Sequence, residues 1–181
     1  LDHEEALNLI KSKVKNDRLI KHMLATETVM RALAKSLKED EDLWGLAGLL
    51  HDVDYDQTVA DPGKHGLLGA EWLEDLGVDQ QVIQAVRSHS GHIPPQSKMD
   101  WALYAVDPLT GLIVAAALMH PSRSLQGMDE GFVLKRFKEK RFAAGANREQ
   151  IKECERIGLD LAEFVKIALQ AMREIADEIG L

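Results

Sequence analysis

His51 and Asp52 stand side by side at the end of the apolar run Leu46-Ala47-Gly48-Leu49-Leu50, and two more acids follow at Asp54 and Asp56. With Leu43 and Trp44 before it, the run reads as a buried helix from about Glu41 to Asp52. A helix end carries partial negative charge on its unpaired carbonyls, so carboxylates there are disfavoured. Three of them call for a compensating positive charge, and a divalent cation is one source. A histidine beside an aspartate offers both nitrogen and oxygen ligands. The pair also has an ordinary reading, as a core histidine followed by an acidic turn, so partners elsewhere must decide.

Seven histidines occur: His3, His22, His51, His65, His89, His92 and His120. His22 lies mid-helix beside Met23 and Leu24, where an unpaired polar group is costly if buried. His65 follows Lys64 at an expected helix start. His89 ends another helix, a place that favours a cation by itself. His92 falls in the loop beyond, and His3 and His120 read as surface residues. Asp107 interrupts the apolar stretch Trp101 to Val106 and precedes Pro108, where a helix cap is its ordinary role. Taken in order, His22, His51-Asp52, His65, His89 and Asp107 each fall at a helix end or on a stripe that should face the core. Six imidazole and carboxylate ligands suit Mn, Fe, Co, Ni or Zn, and in part Mg. They suffice for one ion or two, with Asp52 as a bridge.

The elements that must position these groups are helices. Apolar residues recur at helical spacing over residues 3–15 and from Asp17 to about Leu37. Later helices are expected at about Lys64 to Gly77, Gln80 to His89, Phe132 to Lys138, Asn147 to Ile157, and Asp160 to Ile179. Met99 to His120 reads as two helices meeting at Asp107-Pro108, because proline is well placed in a first helical turn. No run reads as a strand and none repeats, so the fold class is all-α.

The 181 residues point to one domain with a sizeable core. Composition is that of a soluble globular protein, with 45% hydrophobic and 29% charged residues. The net charge of −8 leaves no basic face for a nucleic acid polymer. The most basic stretch, Lys135 to Arg141, is short and reads as a solvated helix face. A single cysteine, Cys154, excludes an intramolecular disulfide framework and a thiolate zinc site. A reducing cytoplasm is the expected setting. The apolar run Leu112 to Met119 is too short to span a bilayer. The start, Leu1-Asp2-His3-Glu4-Glu5, is acidic and amphipathic, unlike a signal peptide. A first residue of Leu1 suggests a lost start methionine or trimming.

The series resembles the HD-domain superfamily of metal-dependent phosphohydrolases, whose pattern is a histidine, a His-Asp pair and a distant aspartate. Here it maps onto His22, His51-Asp52 and Asp107, flanked by Gly48-Leu49-Leu50 and Ala105-Val106. The likeness is greatest to the small HDIG-like hydrolases and covers at least residues 20 to 110. Members with two metals carry extra histidines, which His65 and His89 match, with His92 as a companion. The Gly-Tyr-Pro motif of the cyclic-di-nucleotide branch is missing. Gly91-His92-Ile93-Pro94 stands near its place, so a cyclic dinucleotide substrate is not supported.

The resemblance implies a single HD-like helical bundle over residues 1–181. Its metal-site core spans about 17–120, and C-terminal helices over 131–181 pack on it. It implies hydrolysis of a small phosphoester, a nucleotide or phosphomonoester, by metal-activated water. Asp52 and Asp54 would be catalytic, Asp54 as general acid or base or by orienting His51. Arg18, Lys21 and Lys64 are the candidates to hold phosphate, with Arg87 a further cation. Arg18 leads, because it shares a helix face with His22. Thr110, one turn after Asp107, would touch the site. Two other readings use the same ligands: a di-iron HD-fold oxygenase, and a metal- or nucleotide-binding protein without turnover. Oligomeric state is not legible.

Overall fold

Polar residues at helix starts set most of the boundaries. Asp2, Asn16, Asp40, Asp79, Ser97 and Asp160 each accept a hydrogen bond from a first-turn amide of the helix that follows. The computed structural model describes residues 1–181, with eleven α-helical segments, two 3-10 turns and no strand. The first half holds α1 (His3–Lys13), α2 (Asp17–Leu37), α3 (Glu41–Leu50), the single turn α4 (Tyr55–Thr58), α5 (Leu67–Asp75) and α6 (Gln80–Ser88). The second half holds α7 (Lys98–Met119), α8 (Glu130–Lys138), α9 (Arg148–Lys152), α10 (Leu161–Glu174) and the single turn α11 (Ala176–Ile179).

Helices α2 and α3 are the most extensively packed pair. Gly48 makes this possible: a Cβ there would lie 2.9 Å from the Glu27 backbone and from the Thr26 carbonyl oxygen. The close approach brings the α2 histidine to the end of α3. Helices α6, α7 and α10 complete the wall, α10 through a strongly amphipathic face that packs on α2, α7 and α8. Buried apolar residues form one contiguous cluster from Ala6 to Ile179, so the C-terminal helices share the core of the N-terminal ones.

Helix α7 differs from its expectation. It runs unbroken through Asp107-Pro108 instead of forming two helices. Pro108 has no amide hydrogen for the carbonyl of Tyr104, four residues back, and such a loss ordinarily kinks or ends a helix. The Gln150 side chain supplies the missing donor, its Nε2 lying 2.7 Å from the Tyr104 oxygen. Asp107 therefore sits inside a helix and not at its cap. The continuous α7 is long and apolar enough to cross a membrane by length and composition, but 56% of that stretch is buried inside the protein.

Three smaller boundaries also move. Helix α5 starts at Leu67 and not at about Lys64, because the Pro62–Lys64 turn is 3-10 and Gly66 adopts φ 81°. Helix α3 ends at Leu50, just before the His-Asp pair. The last expected helix is broken at Ile175 into α10 and α11.

Candidate metal centre

Three helix ends and two helix interiors converge on one point. His22 comes from α2, His51 and Asp52 from the end of α3, and His65 from the turn before α5. His89 caps α6, and Asp107 lies inside α7. The donors fall into two sets: His22, His51, Asp52 and Asp107, and Asp52, His65 and His89. Asp52 serves both. Its Oδ2 lies 3.5 Å from His22 Nε2 and 3.3 Å from His51 Nε2. Its Oδ1 lies 3.1 Å from His65 Nε2 and 3.3 Å from His89 Nε2. Asp107 Oδ1 closes the first set, 2.9 Å from His22 Nε2 and 3.4 Å from His51 Nε2.

The opposite ring nitrogens show whether these groups fit an ion. His51 Nδ1 donates to the Gly48 carbonyl at 2.7 Å, and His89 Nδ1 to the Val86 carbonyl at 2.6 Å. His65 Nδ1 donates to Asp54 Oδ1 at 2.8 Å, and His22 Nδ1 to Thr110 Oγ1 at 3.1 Å. The Thr110 hydroxyl is free to accept because its own proton goes to the Asp107 carbonyl at 3.0 Å. With a proton on each Nδ1, a neutral ring turns a bare Nε2 lone pair inward, the usual arrangement of a metal-ligating histidine. The separations fit as well. Two nitrogens each about 2.1 Å from one ion, at angles of about 90° to 109°, lie about 3.0 to 3.4 Å apart. The Nε2 atoms of His22 and His51 are 3.1 Å apart, as are those of His65 and His89.

The electrostatics point the same way. Burial alone would lower the His51 pKa, but the Asp52 charge and the bonds to Asp107 and Asp52 raise it well above its ordinary value. Burial also opposes protonation of His65, and its bonds to Asp52 and Asp54 push it up to about 9. Burial would raise the carboxyl of Asp52, yet the His51 charge and the bonds from three imidazoles hold it well below the usual range. Burial is likewise overcome at Asp107, held low chiefly by bonds to His22 and His51. Without an ion the cluster takes up protons to balance its buried carboxylates. A divalent cation would supply that charge and leave the nitrogens free to coordinate.

Asp54 stands apart from its expected place. It is fully buried and bonds to His65, not His51. Its Oδ2 accepts the Gly66 and Gly69 amides at 2.8 and 2.7 Å, at the start of α5. A carboxylate at a helix start is favoured, and these three bonds leave it no route to a substrate proton. The other candidates divide between the site's cavities and the surface. Arg18 and Lys21 line a cavity with His22 and Thr110. Lys21 also pairs with Asp17 at 3.1 Å. Lys64 is 70% exposed and pairs with Asp61 at 3.3 Å, away from the ligands. Arg87 pairs with Glu74 at 3.7 Å. His92 bonds to the Pro62 carbonyl and lines the cavity over His65 and His89 without joining either donor set. His3 pairs with Glu27, and His120 bonds to Ser122. Sequence reasoning missed Gln150, which lines the cavity over His65 and His89 together with Asp107. The Pro108 imino acid was its one signal, since a proline inside a helix leaves a carbonyl in need of a donor.

An all-helical bundle that gathers four imidazoles and two carboxylates at one point defines a class of metal-site proteins. The HD domain matches residues 19–118, and the chain belongs to the HD-domain family. Ribonuclease Y of Sulfurovum sp. is 26% identical over 96% of this chain and 37% of that protein. An uncharacterized protein of Methanocaldococcus jannaschii is 29% identical over 84% of this chain and 92% of that one. A tRNA (cytidine(56)-2'-O)-methyltransferase of Picrophilus torridus is 28% identical over 50% of this chain and 26% of that protein. The chain spans well under half the length of the ribonuclease Y proteins it matches. No solved structure matches it.

Proposed function

We propose that the protein is a metal-dependent phosphohydrolase acting on a small phosphoester, nucleotides included. The sharing of Asp52 between two donor sets carries this reading, because it suits two divalent ions held side by side. Such ions supply a bound water of lowered pKa and polarise a phosphoryl oxygen. Mn, Fe, Co, Ni and Zn suit the nitrogen and oxygen ligands, and Mg in part.

The chain's own residues divide the remaining work. His22, His51 and Asp107 would hold one ion, His65 and His89 another, with Asp52 shared between the two sets. Asp54 and Thr110 hold imidazoles in place from behind. The second set has only three protein donors and opens on a cavity of about 350 Å³ lined by Tyr55, Val59 and Pro62 among others. That is where water and ester would enter. Arg18 and Lys21 bring positive charge to the His22 side. A relative, ribonuclease Y, is by name a nuclease, which supports phosphoester chemistry. The net charge of −8 favours small substrates over a nucleic acid polymer. A free buried Cys154 suits a cytoplasmic setting.

The test pairs elemental analysis of purified protein with a phosphoester panel in the presence of Mn²⁺. At least one ion per chain and metal-dependent phosphate release, both lost in Asp52→Ala, are expected. Iron with oxygen uptake would favour the di-iron oxygenase instead. Bound metal without turnover would favour a binding protein.

A further inference from the structure

The two nitrogens of His22 face different surroundings. Nε2 meets His51, Asp52 and Asp107, while Nδ1 bonds to Thr110 Oγ1 at 3.1 Å. A cavity of about 450 Å³ is lined by His22 and Thr110 and by none of His51, Asp52 or Asp107. It also shares no lining residue with the cavity over His65 and His89. A molecule seated in it would lie on the Thr110 side of the His22 ring, apart from the place where water and ester would enter.

Helices α2, α7 and α11 build this cavity, and its surface has two parts. One is apolar, made by Ala25, Val114, Leu118, Ile179 and Leu181. Leu118 is 48% exposed, whereas Leu103, Leu109 and Leu112 of the same helix are fully buried, so hydrocarbon faces solvent here with nothing packed on it. The other part is cationic, made by Arg18 and Lys21. Lys21 pairs with Asp17, an exposed carboxylate one turn back. Arg18 bonds only through its backbone amide, and its guanidinium pairs with no carboxylate in a chain that carries 30 acids. Single exposed leucines and surface arginines are common and mean little alone. Set on one concave surface of this size, an apolar wall and a few polar groups have the usual form of a small-molecule site.

We propose that this cavity binds a small amphipathic anion, an oxyanion head on a hydrocarbon body, at a site separate from the metal centre. The head pairs with Arg18 and Lys21, whose guanidinium fork and ammonium both suit an oxyanion. The body lies on Val114, Leu118 and Ile179, where each methylene taken from water adds affinity. No bond is made or broken there, and the site stands whether or not the metal centre hydrolyses phosphoesters.

Calorimetry with alkanesulfonates is the test, since a sulfonate stays ionised and ligates metals poorly. Octanesulfonate should bind at a single site, at least about tenfold more tightly than butanesulfonate. EDTA treatment of the protein should leave both affinities unchanged. Arg18→Gln should weaken both sulfonates about fivefold or more while keeping their ratio. Leu118→Gln should instead shrink the ratio at least about threefold. Both of these side chains are exposed, so the variants should fold, and urea midpoints check that they do. Tyr55→Ala, in the cavity over His65 and His89, should change neither affinity. The proposal is overturned by the absence of saturable binding, by equal affinity for the two sulfonates, or by binding lost with EDTA or in Tyr55→Ala. Indifference to both Arg18→Gln and Leu118→Gln overturns it as well. Sedimentation of the free protein completes the test. A monomer supports the proposal, and a dimer that Leu118→Gln dissociates would give the apolar wall to a second copy of the chain and overturn it.

Discussion

Asp54 Oδ1 accepts the Nδ1 proton of His65 at 2.8 Å, and the same carboxylate receives the two amides that open α5. One side chain thus aims a candidate metal ligand and fastens the helix behind it. Asp54→Ala should cost about 2–5 kcal/mol, because it leaves buried amides without an acceptor. The second ion should be lost and the first retained. Urea unfolding and metal stoichiometry check this, and two ions per chain in the variant would contradict it.

The ligands themselves separate by set. His51→Ala and Asp52→Ala should abolish activity, Asp52→Ala with loss of both ions because it serves both sets. His65→Ala and His89→Ala should remove one ion only. Elemental analysis of the four variants reads this directly, and unchanged stoichiometry in the last two would argue for a single-ion centre.

Acidity should leave a mark on the metal-free protein. His65 rises from 6.5 to about 9 in the fold. Between those values the folded imidazole keeps a proton that the unfolded chain releases. The stability this brings is fully present below about pH 6.5 and fades as pH climbs through about 9, on the order of 3 kcal/mol. Urea midpoints of EDTA-treated protein should fall over that range. With metal bound the fall should vanish, since coordination needs the neutral ring and affinity grows as protons leave.

Pro108 and Gln150 should be coupled. Gln150→Ala strands the Tyr104 carbonyl and should cost about 1–3 kcal/mol. In a Pro108→Ala background the new amide can bond that carbonyl, so the same change should cost about 1 kcal/mol less. A double-mutant cycle measured by urea unfolding decides, and strict additivity would show that the tether has no such role.

Arg148→Ala should free the segment over residues 139–147. The guanidinium bonds to six carbonyls, those of Arg136, Phe137, Glu139, Phe142, Ala143 and Ala146. Losing them should cost about 3 kcal/mol or more. Hydrogen exchange should speed up in that segment while metal stoichiometry stays the same, as none of the ligands lies there. Arg148→Lys should rescue little, because an ammonium cannot present the planar fork.

The convergence of the candidate residues was legible because each sat at the end, or on the inward stripe, of a helix whose periodicity could be read. His22, His51, Asp52, His65, His89 and Asp107 meet as their order suggested. What escaped depends on contacts between distant segments. The unbroken α7 needs a donor from Gln150, far along the chain, and local rules at Asp107-Pro108 rightly favour a break. Asp54 was matched to His51, its sequence neighbour, whereas the turn into α5 carries His65 to it. Lys64 looked close to a ligand in sequence, yet its side chain leaves the site for Asp61.

The missing side chain at Gly48 has one more effect. Helix α2 rests against α3 at backbone contact, so the gap between the His22 and His51 rings is set by a hydrogen atom where other residues carry carbon. Enlarging that residue to alanine would pry the two rings apart. The coordination pocket would then favour ions of larger radius that still accept imidazole, and cadmium would gain on zinc.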